Sequence, residues 1–84
     1  MDGKEEILLE INSPKATLLS RKVEKVFLPG VCGPFEVLRR HAPLITALEE
    51  GDIRYFADDQ MHSMHIRSGF VDINNNKVSV CLDL

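Results

Sequence analysis

Residues 69–82 read GFVDINNNKVSVCL. In the first half Val71 and Ile73 flank Asp72; in the second Val78, Val80 and Leu82 alternate with Lys77, Ser79 and Cys81. Side chains point alternately to the two faces of a strand, so each half reads as a strand with one apolar and one wetter face. Asn74, Asn75 and Asn76 stand between the halves. Asparagine tolerates the positive φ that tight turns between strands require.

The same period of two runs through the rest of the chain. Ile7, Leu9 and Ile11 alternate with Leu8, Glu10 and Asn12, and Ile53 and Tyr55 flank Arg54. No window of a dozen residues carries a clean helical period. Ser13-Pro14-Lys15 ends the first run, and Pro29-Gly30 and Gly33-Pro34 bracket a loop. Glu50-Gly51-Asp52, Ala57-Asp58-Asp59 and Ser68-Gly69 are further turn signals. Short strands at such regular spacing predict an all-β sandwich or barrel. Strands are expected over 6–12, 16–20, 22–28, 35–38, 44–48, 52–56, 62–67, 69–74 and 77–82, in one domain spanning 1–84. The expected core includes Leu9, Ile11, Val71, Ile73, Val78 and Val80.

Size and charge narrow the function. The chain has 84 residues, which is one domain at most. A domain this small buries only about 60–65% of the surface its unfolded chain exposes, leaving little for a deep cleft. Apolar residues make up 44% and charged residues 27%, a globular balance. The net charge of −3 argues against a general nucleic-acid binder, which needs a cationic surface. No apolar run approaches the roughly 20 residues that span a bilayer, and Met-Asp-Gly-Lys-Glu-Glu at the N-terminus is acidic where a secretory signal is basic and then apolar. The chain reads as cytosolic, with Cys32 and Cys81 as free thiols.

No reactive constellation emerges. His62 and His65 are three apart, so on a strand they face opposite sides and cannot close on one metal ion. Cys32 and His41 share a turn-rich region, but no helix N-terminus or Gly-rich elbow of the kind that activates a nucleophilic thiol is visible. Cys81 lies on the face opposite Val80 and Leu82 and reads as a small filler. Glu49, Glu50, Asp52, Asp58 and Asp59 cluster in two turns and read as solvated charge. No loop cradles phosphate. Arg39-Arg40 is too short for a nucleic-acid patch and reads as a contact point for an acidic partner. The residues therefore favour an interaction role: no catalytic residue, no metal and no cofactor is expected.

An ordered set of motifs goes further. LEINSPKATLLS opens the chain; then come Leu28-Pro29-Gly30, a short loop containing Gly33, His41-Ala42-Pro43-Leu44-Ile45-Thr46, Gly51, a Gly69-Phe70-Val71 strand and an Asn76-Lys77-Val78 strand. From about Ile7 to Asp83 this set resembles the N-terminal β-sandwich domain of the epsilon subunit of rotary ATP synthases. The resemblance implies a flattened sandwich of about ten strands. It also implies a non-catalytic central-stalk subunit that clamps to the gamma subunit and rests on the polar loops of the membrane c-ring. Gamma contacts then fall on Ser13, His41 and Thr46, and the ring-facing loop on Pro29, Gly30, Val31, Cys32, Gly33, Pro34, Phe35 and Glu36. The stretch LRRHAPLIT becomes a rigid contact loop in which Pro43 fixes its own φ and biases Ala42 to an extended conformation, holding His41. The implied location is peripheral, on the cytoplasmic face of an energy-coupling membrane such as the bacterial inner membrane, with membrane contact only through the complex.

Three departures fall in the implied contact surface. Arg39-Arg40 stand where the family often has Pro-Gly, Glu36 where it usually has Gly, and Pro34 where it often has an acidic or polar residue. The helical hairpin that follows the sandwich in many family members, which brakes ATP hydrolysis and in some binds ATP, has no counterpart in these 84 residues, so a short form without either property is expected. The alternative reading is a generic β-sandwich adaptor that binds a partner along an exposed strand edge.

Overall fold

The computed structural model describes residues 6–83. Nine strands follow one another: β1 (Ile7–Asn12), β2 (Thr17–Val23), β3 (Lys25–Gly30), β4 (Gly33–Val37), β5 (Leu44–Leu48), β6 (Gly51–Ala57), β7 (Gln60–Ile66), β8 (Gly69–Asn74) and β9 (Lys77–Leu82). The all-β expectation and the number of strands hold. Two turns set the registers of their neighbours. Asp58 and Asp59 have φ of 54° and 59°, and Asn75 and Asn76 have 52° and 61°. Positive φ at both central residues is the two-residue hairpin turn whose twist matches that of the strands. Ala57 therefore pairs with Gln60, and Asn74 with Lys77.

The strand order is β2-β1-β9-β8-β5-β3-β6-β7, with β4 on β3. β1 and β9 pair in parallel, while the other pairs are antiparallel. The sheet folds over at one thin joint, a single pair between Gly30 of β3 and Leu48 of β5. A Cβ on Gly30 would sit 2.8 Å from the Gly33 carbonyl oxygen, so the β3–β4 hairpin beside this joint pairs closely only with glycine there. Two leaves result, β2-β1-β9-β8-β5 and β4-β3-β6-β7, facing each other across the core.

That core is wholly apolar among the described residues. All six expected members are buried, and they form two cross-strand rows: Leu9–Val78–Ile73 and Ile11–Val80–Val71. The second leaf contributes Val26, Leu28, Ile53 and Tyr55. On the side away from the joint, Arg21 of β2 reaches across. Its Nη2 lies 2.7 Å from Asp58 Oδ2, and its guanidinium carbon lies 5.8 Å from the Tyr55 ring centroid.

Three expectations need correction. The break between the second and third strands falls at Glu24 rather than near residue 21, because β2 pairs with β1 along its length and Val23 is buried opposite Ile7. Cys81 is not a filler: it is exposed on the outer face, with Val80 and Leu82 turned the other way. β3 also runs on through Pro29, which stands opposite Pro34, so neither has an N–H to waste.

Ile11→Ala removes a fully buried side chain from the second row, and such truncations cost about 2–5 kcal/mol. A chain of this length has on the order of 4–13 kcal/mol in total. Urea unfolding should show a large loss for Ile11→Ala, and a change within about 0.5 kcal/mol for Lys22→Ala on the exposed face of β2. Equal stability of the two variants would contradict the face assignment.

Candidate interaction surface

Residues 38–43 form the loop between β4 and β5. The Leu38 carbonyl accepts the His41 N–H at 3.2 Å, closing a four-residue turn. Its third residue, Arg40, has φ of 64°, the position that such turns usually give to glycine. The Arg40 N–H donates to Asn76 Oδ1 at 2.6 Å, which ties the loop to the β8–β9 turn. The His41 ring is held in turn. Its Nδ1 donates to the Ala42 carbonyl at 2.6 Å, and its centroid lies 6.5 Å from that of Phe35 on β4, tilted by 42°.

The β3–β4 hairpin carries the residues implied as ring-facing. Val31 and Cys32 are exposed at its tip, and the Val31 N–H donates to the Ala47 carbonyl at 3.1 Å, so the tip lies against β5. A cleft of about 370 Å³ opens there, lined by Gly30, Cys32, Gly33, Pro34 and Phe35 together with Leu44 and Thr46. The fold thus brings Thr46 of the implied gamma set against the implied ring loop, and Phe35 links the cleft to His41. Thr46 also continues a core row, opposite Val71, and is half-buried. Glu36 faces the other way, into a groove of about 470 Å³ with Phe27, Pro29, Pro34, Asp52 and Arg54.

Ser13 is not brought near His41. It ends β1 beyond the row Asn12–Cys81–Phe70–Ala47, whereas His41 lies at the Asn74–Lys77 end. Its hydroxyl shapes its own turn, accepting N–H bonds from Ala16 at 3.1 Å and Lys15 at 3.3 Å. Between the two ends, on the outer face of the first leaf, Ile45 and Phe70 are 73% and 58% exposed. Neither was singled out from sequence, because each stands on the wetter side of a strand where apolar residues occur singly without consequence.

A family model for the ATP synthase Delta/Epsilon chain beta-sandwich domain matches residues 6–83. The chain belongs to that family. It is 43% identical over 72 residues to the ATP synthase epsilon chain of Lawsonia intracellularis, covering 86% of this chain and 54% of the relative. It is 37% identical over 75 residues to that of Desulfitobacterium hafniense, covering 89% and 57%. It thus spans about half the length of the curated relatives it matches. Among solved structures, a chain of the Euglena gracilis mitochondrial ATP synthase (OSCP/F1/c-ring, rotational state 1) superposes with a TM-score of 0.86 at 20% identity, covering 98% of this chain and 54% of that one. The sandwich is therefore the fold of the family, and the departures at Arg39-Arg40, Pro34 and Glu36 all lie on its exposed surface.

No group of three or more metal-ligating side chains converges among the described residues. The two histidines of β7 diverge as the spacing predicts. His62 stacks on Tyr55, with centroids 5.0 Å apart, and His65 points outward. There His65 Nδ1 lies 2.8 Å from Asp52 Oδ1, and Nε2 lies 3.1 Å from Glu50 Oε2. Both carboxylates can only accept, so the pair of bonds needs both ring nitrogens protonated. The bond to Asp52, with that to Glu50 behind it, raises the His65 pKa above the ordinary value of 6.5.

A raised folded-state pKa contributes stability below the unfolded value, about 6.5, and the contribution is lost as pH rises through the folded value. NMR titration should place the His65 midpoint above that of the unfolded chain. Asp52→Asn should lower it more than Glu50→Gln. A midpoint unmoved by Asp52→Asn would show that the bond does not persist in solution.

Proposed function

We propose that this chain is a non-catalytic subunit of the central stalk of an ATP synthase, coupling the gamma subunit to the membrane c-ring during proton-driven ATP synthesis. The observation that carries the reading is the family match along residues 6–83, joined to relatives named ATP synthase epsilon chain. A single folded unit spanning 1–84, peripheral on the cytoplasmic face of a bacterial inner membrane, fits the same reading. What it offers a partner is surface: a short-turned β framework, a pinned His41 loop and an exposed hairpin tip.

In this proposal His41, Thr46 and Ser13 face gamma, and Pro29 to Glu36 face the polar loops of the ring. The first two are joined to the hairpin through Phe35 and the cleft, so the gamma and ring contacts share one mechanical block. Ser13 sits apart and marks a second point of the same partner's footprint.

Copurification from membranes tests the assignment. A tagged chain should recover gamma and c subunits together, and recovery of neither would leave the generic adaptor reading in its place. A crosslinking series then tests the residues. In a Cys32→Ser, Cys81→Ser background, Ser13→Cys and His41→Cys should each join to gamma in the assembled complex through a short crosslinker. Native Cys32, with only Cys81 replaced, should join to the ring side. Cys32 joining to gamma alone would overturn the ring assignment of the hairpin.

The chain itself is expected not to bind ATP. A nucleotide site needs convergent donors on a Gly-rich turn or helix N-terminus, and the described residues form strands and turns only. Calorimetric titration with Mg-ATP should show no heat above dilution.

A further inference from the structure

The asparagine triplet between β8 and β9 does more than turn the chain. Asn76 adopts φ of 61° as the second central residue of the turn, and its backbone carbonyl accepts the Leu8 N–H at 2.9 Å. Its side chain leaves the turn and meets a different loop, accepting the Arg40 N–H at 2.6 Å. A backbone N–H can only donate, so the amide's orientation is fixed with Oδ1 toward Arg40. At the other end of that bond the Leu38–His41 turn lacks the residues that would hold it unaided. Proline at the second position and glycine at the third are the usual means, and Arg39 and Arg40 supply neither. Arg40 is held at φ of 64°, where a side chain is disfavoured. The next residue is His41.

We infer that Asn76 is the positioning residue of the His41 loop: its side-chain carbonyl holds Arg40 in the left-handed turn that sets the direction in which His41 is presented. This rests on the reading of His41 as a gamma contact, and it adds a residue 35 positions away in sequence. Asn75, with φ of 52° in the same turn, serves as the internal control.

Asn76→Gly accepts the positive φ without strain and deletes only the acceptor. Asn76→Asp keeps an oxygen at the same reach. Three readouts on the 84-residue chain decide the matter: thermal unfolding, NMR exchange of the Arg40 amide, and affinity for the F1 head containing gamma. Asn76→Gly should unfold close to the native chain, exchange its Arg40 amide about tenfold faster or more, and shift the His41 ring resonances. It should bind the gamma-containing head about three- to tenfold more weakly, the range that one hydrogen bond supplies. Asn76→Asp should restore both exchange and binding, and Asn75→Gly should change neither. An Arg40 amide that exchanges at the native rate in Asn76→Gly overturns the tie. Faster exchange with unaltered His41 resonances and native affinity overturns the positioning role. If the native chain itself fails to bind the gamma-containing head, the reading of His41 as a gamma contact falls, while the exchange and resonance readouts still decide what Asn76 does to the loop.

Discussion

The parallel pairing of β1 with β9 is the constraint on which the rest depends. Hairpins alone would leave the first strand beside β2 and the last beside β8, as two separate ribbons. Laying Ile11 against Val80 and Leu9 against Val78 joins those ribbons into one leaf and extends both core rows by a strand. A two-stranded ribbon is marginal in water, whereas a five-stranded leaf with an apolar face can support a second leaf. The second leaf hangs from it by the Gly30–Leu48 joint and is closed on the far side by Arg21. Because the core has no buried polar group among the described residues, its specificity comes from shape and register rather than from hydrogen bonding.

Register is also where the sequence speaks most clearly. A two-residue turn centred on Asp58-Asp59 makes every pair across β6 and β7 follow by counting outward, so Asp52 must meet His65 and Tyr55 must meet His62. Asn75-Asn76 does the same for Val71 and Val80. The apolar period then tells which side of each strand is buried. Local signals stop there. Which leaf a strand joins is decided by contacts between residues far apart in the chain, so the parallel β1–β9 pair and the corner at Gly30 carry no short-range mark. The exposure of Cys81 is hidden for a related reason: alternation puts it on the outer side, but nothing local tells whether an outer side is covered.

The candidate surface follows the same division. His41-Ala42-Pro43 was legible as a stiff segment because proline restricts both itself and its predecessor. The left-handed Arg40 was not, because arginine gives no signal for positive φ and its stabilising partner lies on another turn. The meeting of Thr46 with the β3–β4 hairpin was also hidden, since it comes from the joint where β3 leaves one leaf for the other.

The proposed stalk role asks for a part that transmits force. A close-packed interior has low compressibility, so a load applied to one surface reaches the other with little loss in deformation. The exposed features assigned to partners in the proposed function are each anchored to that interior by short links. The hairpin tip is bonded to β5, the His41 ring is braced by Phe35, and the loop beneath it is tied to the β8–β9 turn. Loops are ordinarily the mobile fraction of a domain. Here the loop at 38–43 is fixed by bonds to backbone and to Asn76 instead of by its own composition. Two arginines can therefore occupy positions that a Pro-Gly pair would otherwise fill for conformational reasons. The turn keeps its shape with two cationic residues in it, so the conformational demand on the loop does not fix its surface chemistry.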